Sequence, residues 1–190
     1  MKRYITKEVA IVVGLILLGL LSFTLFRFYQ SARAVSQKVI ASNVEQIGQA
    51  LENIDATCEI VAILRDRALI DFLQVQAFAG NQIGPLQLRR PDKWQGPYID
   101  HNLLMQNIPY ELVKTREGFY VVPGNGVRLD NGKVIGHDIV FDAETDIGAY
   151  INEVWGLEVH GDLLVRKVTF KHLIQNDFQP LTNEAADVSI

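Results

Sequence analysis

The chain has 190 residues, 48% apolar and 21% charged, with a formal net charge of −4. That length admits one compact domain with an appendage, and the composition excludes a disordered chain, a collagen and a disulfide scaffold. The acidic balance offers no footprint for a phosphate backbone and argues against nucleic acid; the single cysteine, Cys58, excludes an internal disulfide and a multi-cysteine zinc site.

Taken in chain order, residues 1–8 are a short polar start holding Lys2, Arg3, Lys7 and Glu8. Residues 9–26 (VAIVVGLILLGLLSFTLF) carry no formal charge. As a helix they rise about 27 Å, close to a hydrocarbon core of roughly 30 Å. Backbone groups in lipid need internal partners, which predicts a helix, and Phe28 and Tyr29 suit the interface, so the span is read as 9–29. A cleaved signal peptide is the rival, but the apolar run is long for one. The short N-terminus places itself inside and the rest of the chain across the membrane.

Residues 30–56 form a stalk with no proline and one glycine, Gly48. Ile40, Val44, Ile47, Leu51 and Ile54 share one helical face, covered either by the chain's own domain or also by copies of itself. No breaker separates stalk from span, which predicts one helix over about residues 5–55. Residues 57–190 form the globular domain. A second helix is predicted over 59–79 from Ile60, Ile63, Leu64, Ala68, Phe72 and Val75, and a loop over 80–97 from its glycines and prolines. Strands are expected at 119–122, at 127–129 and 133–135 around Asn131-Gly132, whose type I′ turn needs φ > 0 at both positions, and at 137–141. A helix capped by Asp142 is expected over 142–154, then a hairpin of 157–159 and 163–170. The fold class is α+β: long helix, second helix, loop and small antiparallel sheet.

Three features carry a resemblance. Tyr4-Ile5-Thr6-Lys7-Glu8 leads straight into the apolar run; the stalk has a small, amide and apolar rhythm; and Trp94-Gln95-Gly96-Pro97-Tyr98-Ile99 lies between helix and sheet. Together they resemble the type IV pilin superfamily, most closely the pseudopilins of type II secretion. The resemblance implies a pilin-like fold and a structural subunit, not an enzyme, assembling with other pilin-like subunits on an inner-membrane secretion or pilus platform, anchored in the bilayer with its domain in the periplasm. It implies that Tyr4 is the mature first residue and that Glu8 neutralises a neighbour's N-terminal amine and sets register; the alternative for Glu8 is an acid favouring the helix macrodipole. Arg3 stands where the family's peptidase meets glycine, Lys7 replaces an apolar residue, and residues 9–30 lack the family's proline. These departures point to an unusual or minor member.

Gly14, Gly19 and Ser22 are small enough for membrane helices to approach. Gly96 and Pro97 shape a turn, and Trp94 and Tyr98 pack it onto the domain or contact a partner. No cofactor is required. A minor candidate is calcium, held by Asp130, Asp138, Asp142 and Asp146 as some pseudopilins hold it, although no EF-hand spacing is present. His101, His137, His160 and His172 show no ligand spacing, and Cys58 reads as a small buried residue. Two other readings stay open: an anchored binding or adaptor domain that does not polymerise, and an anchored hydrolase using Cys58 or a His/Asp set.

Overall fold

The fold is built on one helix. The computed structural model describes residues 7–100, 103–152, 156–159 and 162–174. Helix α1 (Lys7–Cys58) runs for 52 residues without a break, about 78 Å at about 1.5 Å per residue. Its stripe continues one step beyond the predicted one: Ile40, Val44, Ile47, Leu51, Ile54 and Cys58 are all at most 2% exposed. The domain itself covers this stripe, since α1 packs on β7 (Gly118–Pro123) and β10 (Arg166–Val168). The opposite face of the stalk shows Lys38, Val39, Ser42, Gln46, Gln49 and Asn53 to solvent. Of the two covers considered for the stripe, the chain's own domain is the one present.

The helix ends at a left-handed residue that is not glycine, Glu59 (φ 56°). Its amide still donates to Asp55 O at 3.1 Å, while the Asp55 carboxylate accepts the next amide, from Ile60, at 3.1 Å. Glu59 then bridges Arg89 and Arg90, each at 3.3 Å.

The predicted helix over 59–79 is not present. That stretch holds β1 (Ile60–Ile63), β2 (Arg67–Leu69) and a 3-10 turn, Ile70–Gln74. Its apolar spacing fits a helix, but a short apolar run is ambiguous, and the β-branched start finds a partner strand far along the chain. That partner is β4 (Leu86–Leu88), antiparallel to β1 with Ile63 opposite Leu86. β4 and β3 (Gln82–Ile83) lie within the predicted loop and pair through Ile83 and Leu86. Gly84 (φ 54°) and Pro85 form the two-residue turn between them, the glycine at the first position as a II′ turn requires.

The larger sheet has the order β10-β7-β6-β2, with β5 (Leu104–Met105) also pairing β6 (Ile108–Thr115). β5 and β6, unlike β7, were missed in the sequence. Their turn is Gln106-Asn107, with φ 54° and 64° between the paired Met105 and Ile108, the two-residue geometry expected of Asn131-Gly132. At Asn131-Gly132 the chain does something else. Gly132 donates to Leu129 O at 2.9 Å, Asn131 Oδ1 accepts the Lys133 amide at 3.0 Å, and only Gly132 has positive φ, 87°. That is a three-residue turn closed by a left-handed glycine, and its flanks pair antiparallel about the bridge of Arg128 with Val134, Leu129 donating to Lys133 O at 2.8 Å and Ile135 to Val127 O at 2.9 Å. The strand expected over 137–141 likewise reduces to a bridge of Ile135 with Ile139.

The helix expected over 142–154 is the short α2 (Ile147–Asn152); residues 153–155 lie outside the described ones. It starts later because Asp142 is spent on a turn, accepting the Glu144 amide at 3.1 Å and the Thr145 hydroxyl at 2.7 Å. Asp146 is the residue whose carboxylate accepts the Ala149 amide, at 3.0 Å, three positions on as an N-cap does. The late hairpin forms in part: β8 (Glu158–Val159) pairs β9 (Asp162–Leu163), whereas β10 joins β7 in the main sheet.

Four consecutive residues of β7, Tyr120 to Pro123, are buried. Side chains alternate across a strand, so both faces of the sheet are covered. Helix α1 supplies one cover, with Asn43 donating to the buried Tyr110 hydroxyl at 3.2 Å; burial pushes that phenol up to about 12. The segment 127–147 adds Val127, Leu129, Ile135, Ile139, Phe141 and Ile147 to the same core.

Candidate assembly surface

Among the described residues, nothing covers the N-terminal half of α1. Val9, Ile11, Leu15, Leu18 and Phe23 are 52–65% exposed, a contiguous apolar surface far larger than a solvated monomer tolerates. Among the described residues no helix is long and apolar enough to cross a membrane. Tyr4 lies outside the described residues. Glu8 sits in the first turn of α1, but its side chain is likewise outside them.

A Cβ at Gly14 or Gly19 would meet nothing within 4 Å, so neither glycine is needed inside the chain. They lie about 140° apart around the helix, with Ser22 between them. The Ser22 hydroxyl donates back to Leu18 O at 2.9 Å, which satisfies it without a partner. Arg27 ends the run with its guanidinium 5.9 Å from the Phe23 ring.

Where stalk meets domain, three polar devices hold the joint. Arg166 on β10 reaches across Gly48 to pair with Glu45 and, at 2.8 Å, with Glu52. A Cβ on Gly48 would overlap the Arg166 side chain. The Arg166 hydrogen bond holds the Glu45 carboxyl below its ordinary range. Asp55, 1% exposed, is the second device. Besides Ile60 it accepts the Lys171 amide at 2.6 Å and faces His172 Nδ1 at 3.4 Å, tying helix end, strand start and C-terminal segment together. Sequence reasoning missed Asp55; its signal was a lone acid on the apolar stripe, one step from Ile54.

The Trp94 to Ile99 segment is the third. Trp94 Nε1 donates to Val75 O at 3.0 Å, and its ring meets Tyr98 (4.8 Å) and Phe78 (5.3 Å) edge to face. The Tyr98 hydroxyl accepts the Gln95 amide at 3.2 Å. The Gly96–Pro97 bond is cis, and a Cβ on Gly96 would overlap Val75 O. With both polar handles used internally, these aromatics pack the loop onto the domain. Gly96→Ala is expected to lower stability by about 2 kcal/mol, because rigid backbone must shift; equilibrium denaturation of the full chain in detergent checks it.

The calcium candidates do not converge. Asp138 accepts the Val134 amide at 2.8 Å and lies 2.9 Å from His137, while Asp142 and Asp146 hold their local turns. Asp130 sits in the turn before Asn131. Among the described residues no group of three or more His, Cys, Asp or Glu is placed to hold a metal. Nor do the described residues gather a nucleophile: Cys58 is fully buried beside Thr57 and Tyr98, His137 is exposed beside Asp138, and His172 faces Asp55. His101 and His160 lie outside the described residues. The chain matches no family model, no curated protein and no solved structure.

Proposed function

We propose that this protein is a pilin-like structural subunit, anchored in the inner membrane by the first half of α1, that assembles with similar subunits through that helix. The carrying observation is the division of labour along one unbroken helix. The apolar stripe from Ile40 to Cys58 is consumed by the chain's own core, while the apolar half before Arg27 is left for lipid and other helices. Wrapping a helix in lipid satisfies its apolar surface, and small residues then let copies approach. The work is assembly: Glu8 sets register near the membrane face, and the α+β domain stands outside on its stalk. Tyr4, Glu8, Gly14, Gly19 and Ser22 are the residues assigned to it, with a secretion or pilus platform as the membrane partner.

A non-polymerising adaptor is the second reading, favoured by the polar outer face of the stalk, which demands no partner. The two separate in membranes. Leu15→Cys/Leu17→Cys, two exposed positions on nearly opposite sides of the apolar half, is expected to cross-link full-length chains into a ladder on oxidation; bands that stop at monomer or dimer remove the filament reading and leave the adaptor. Glu8→Ala is expected to weaken that ladder at unchanged protein level and membrane insertion, and an undiminished ladder refutes the register role.

A further inference from the structure

A groove of about 560 Å³ runs between α1, β9, β10 and α2. Val44 and Val165 form its buried floor, and Leu163, 42% exposed, stands on its wall. Its lining charges are Lys38, Arg166 and Lys167 against Glu45 and Asp162, so once Arg166 is set against its own acids, Lys38 and Lys167 outnumber Asp162 at the rim. Arg166 is already neutralised by Glu45 and Glu52. Lys38 and Lys167 are exposed, and among the described residues no ion pair occupies either; Lys167 lies 6.0 Å over the Tyr120 ring.

The complementary surface is on the same chain. Residues 138–146 (DIVFDAETD) hold four acids and no base. Val140 projects among them at 45% exposure. The loop's charge is secured locally: the His137 contact and the Val134 amide hold Asp138 below the ordinary carboxylate range, and the Ala149 amide does so first for Asp146. The loop cannot enter its own groove. Helix α2 stands between them, with Ala149 and Tyr150 beside the loop and Ile151 on the groove, and Asp142 and Asp146 pin the loop to its turn and cap.

We infer that the groove of one chain receives the 138–146 loop of a second copy, with Val140 seated near Leu163 and Val165, Lys38 and Lys167 facing the acids. This rests on the subunit reading above and supplies that reading with a contact between domains outside the membrane. An apolar knob in an apolar slot gives affinity, and opposed charges at the rim give register and discrimination.

The test uses full-length chains in membranes, co-expressed as two differently tagged copies, one Val140→Cys and one Leu163→Cys. Oxidation is expected to produce a mixed disulfide dimer; buried Cys58 in the unsubstituted pair sets the background. Lys167→Glu in the Leu163→Cys copy is expected to lower the yield about five-fold, and adding Glu144→Lys to the other copy is expected to restore it. Absence of the mixed dimer, or a yield indifferent to both charge changes, overturns the contact. The Leu15→Cys/Leu17→Cys trap run alongside separates the two ideas. If it cross-links alone, the domain contact is wrong and the subunit reading stands; if neither pair cross-links, both fall.

Discussion

Asp55→Ala is expected to destabilise the domain by about 4 kcal/mol, the largest effect of any single polar change. The carboxylate is 1% exposed and accepts the Ile60 amide at 3.1 Å and the Lys171 amide at 2.6 Å. Hydrogen bonds to an ionised acceptor are worth about 1.5–3 kcal/mol each, and truncation also strands the donors. Alanine leaves two amides facing a void where helix, strand and C-terminal segment meet. Asp55→Asn keeps the shape and one acceptor oxygen, so it is expected to lose about half as much. Denaturant titration of the full chain in detergent reads both; an alanine variant within 1 kcal/mol of the parent would mean that the joint is held elsewhere. Local hydrogen exchange adds a finer check, with the Lys171 and Ile174 amides losing protection first, since Ile174 donates to Val61 O at 3.1 Å on the free side of β1.

The second large effect belongs to the stalk. Leu51→Ala removes a fully buried side chain from the interface of α1 with the domain, at an expected cost of about 3 kcal/mol for lost transfer energy and the cavity left behind. Gln46→Ala, on the exposed face of the same helix, is expected to stay within about 0.5 kcal/mol. The contrast tests what the stripe is for. If it docks on its own domain, Leu51→Ala lowers the denaturation midpoint of a monomer at any protein concentration. If the stripe served contacts between copies, the loss would instead depend on concentration.

Much of the helical half was legible because its signals are local. No proline or glycine pair interrupts residues 7–58, the stripe at Ile40, Val44, Ile47, Leu51 and Ile54 follows helix periodicity, and one helix runs through it and the uncharged run before it. The packing role of Trp94 and Tyr98 was equally readable, from a turn-forming Gly-Pro pair flanked by aromatics. The sheet was read unevenly. β7 stood out as a β-prone run after Gly118, but β6, its longest neighbour, was missed, since Pro109 and the charges of Glu111 and Lys114 hide a strand paired on both sides. The Asn131-Gly132 signal marked a reverse turn correctly in place and wrongly in type, because the Asn131 side chain takes the Lys133 amide and keeps its own φ negative.

What the sequence by itself determined is the long helix and its division into an apolar half and an amphipathic half, since helix hydrogen bonds close within four residues and an apolar surface needs no distant partner to declare itself. Only the tertiary structure decided the rest. Residues 59–79 carry helical spacing yet become β1, β2 and a 3-10 turn, because Leu86 and Leu88 offer β1 a ladder and Leu112 and Val113 offer β2 another. Asp55, Gly48 and Arg166 acquire their roles only when segments more than a hundred residues apart are brought together, and no local pattern announces such a meeting.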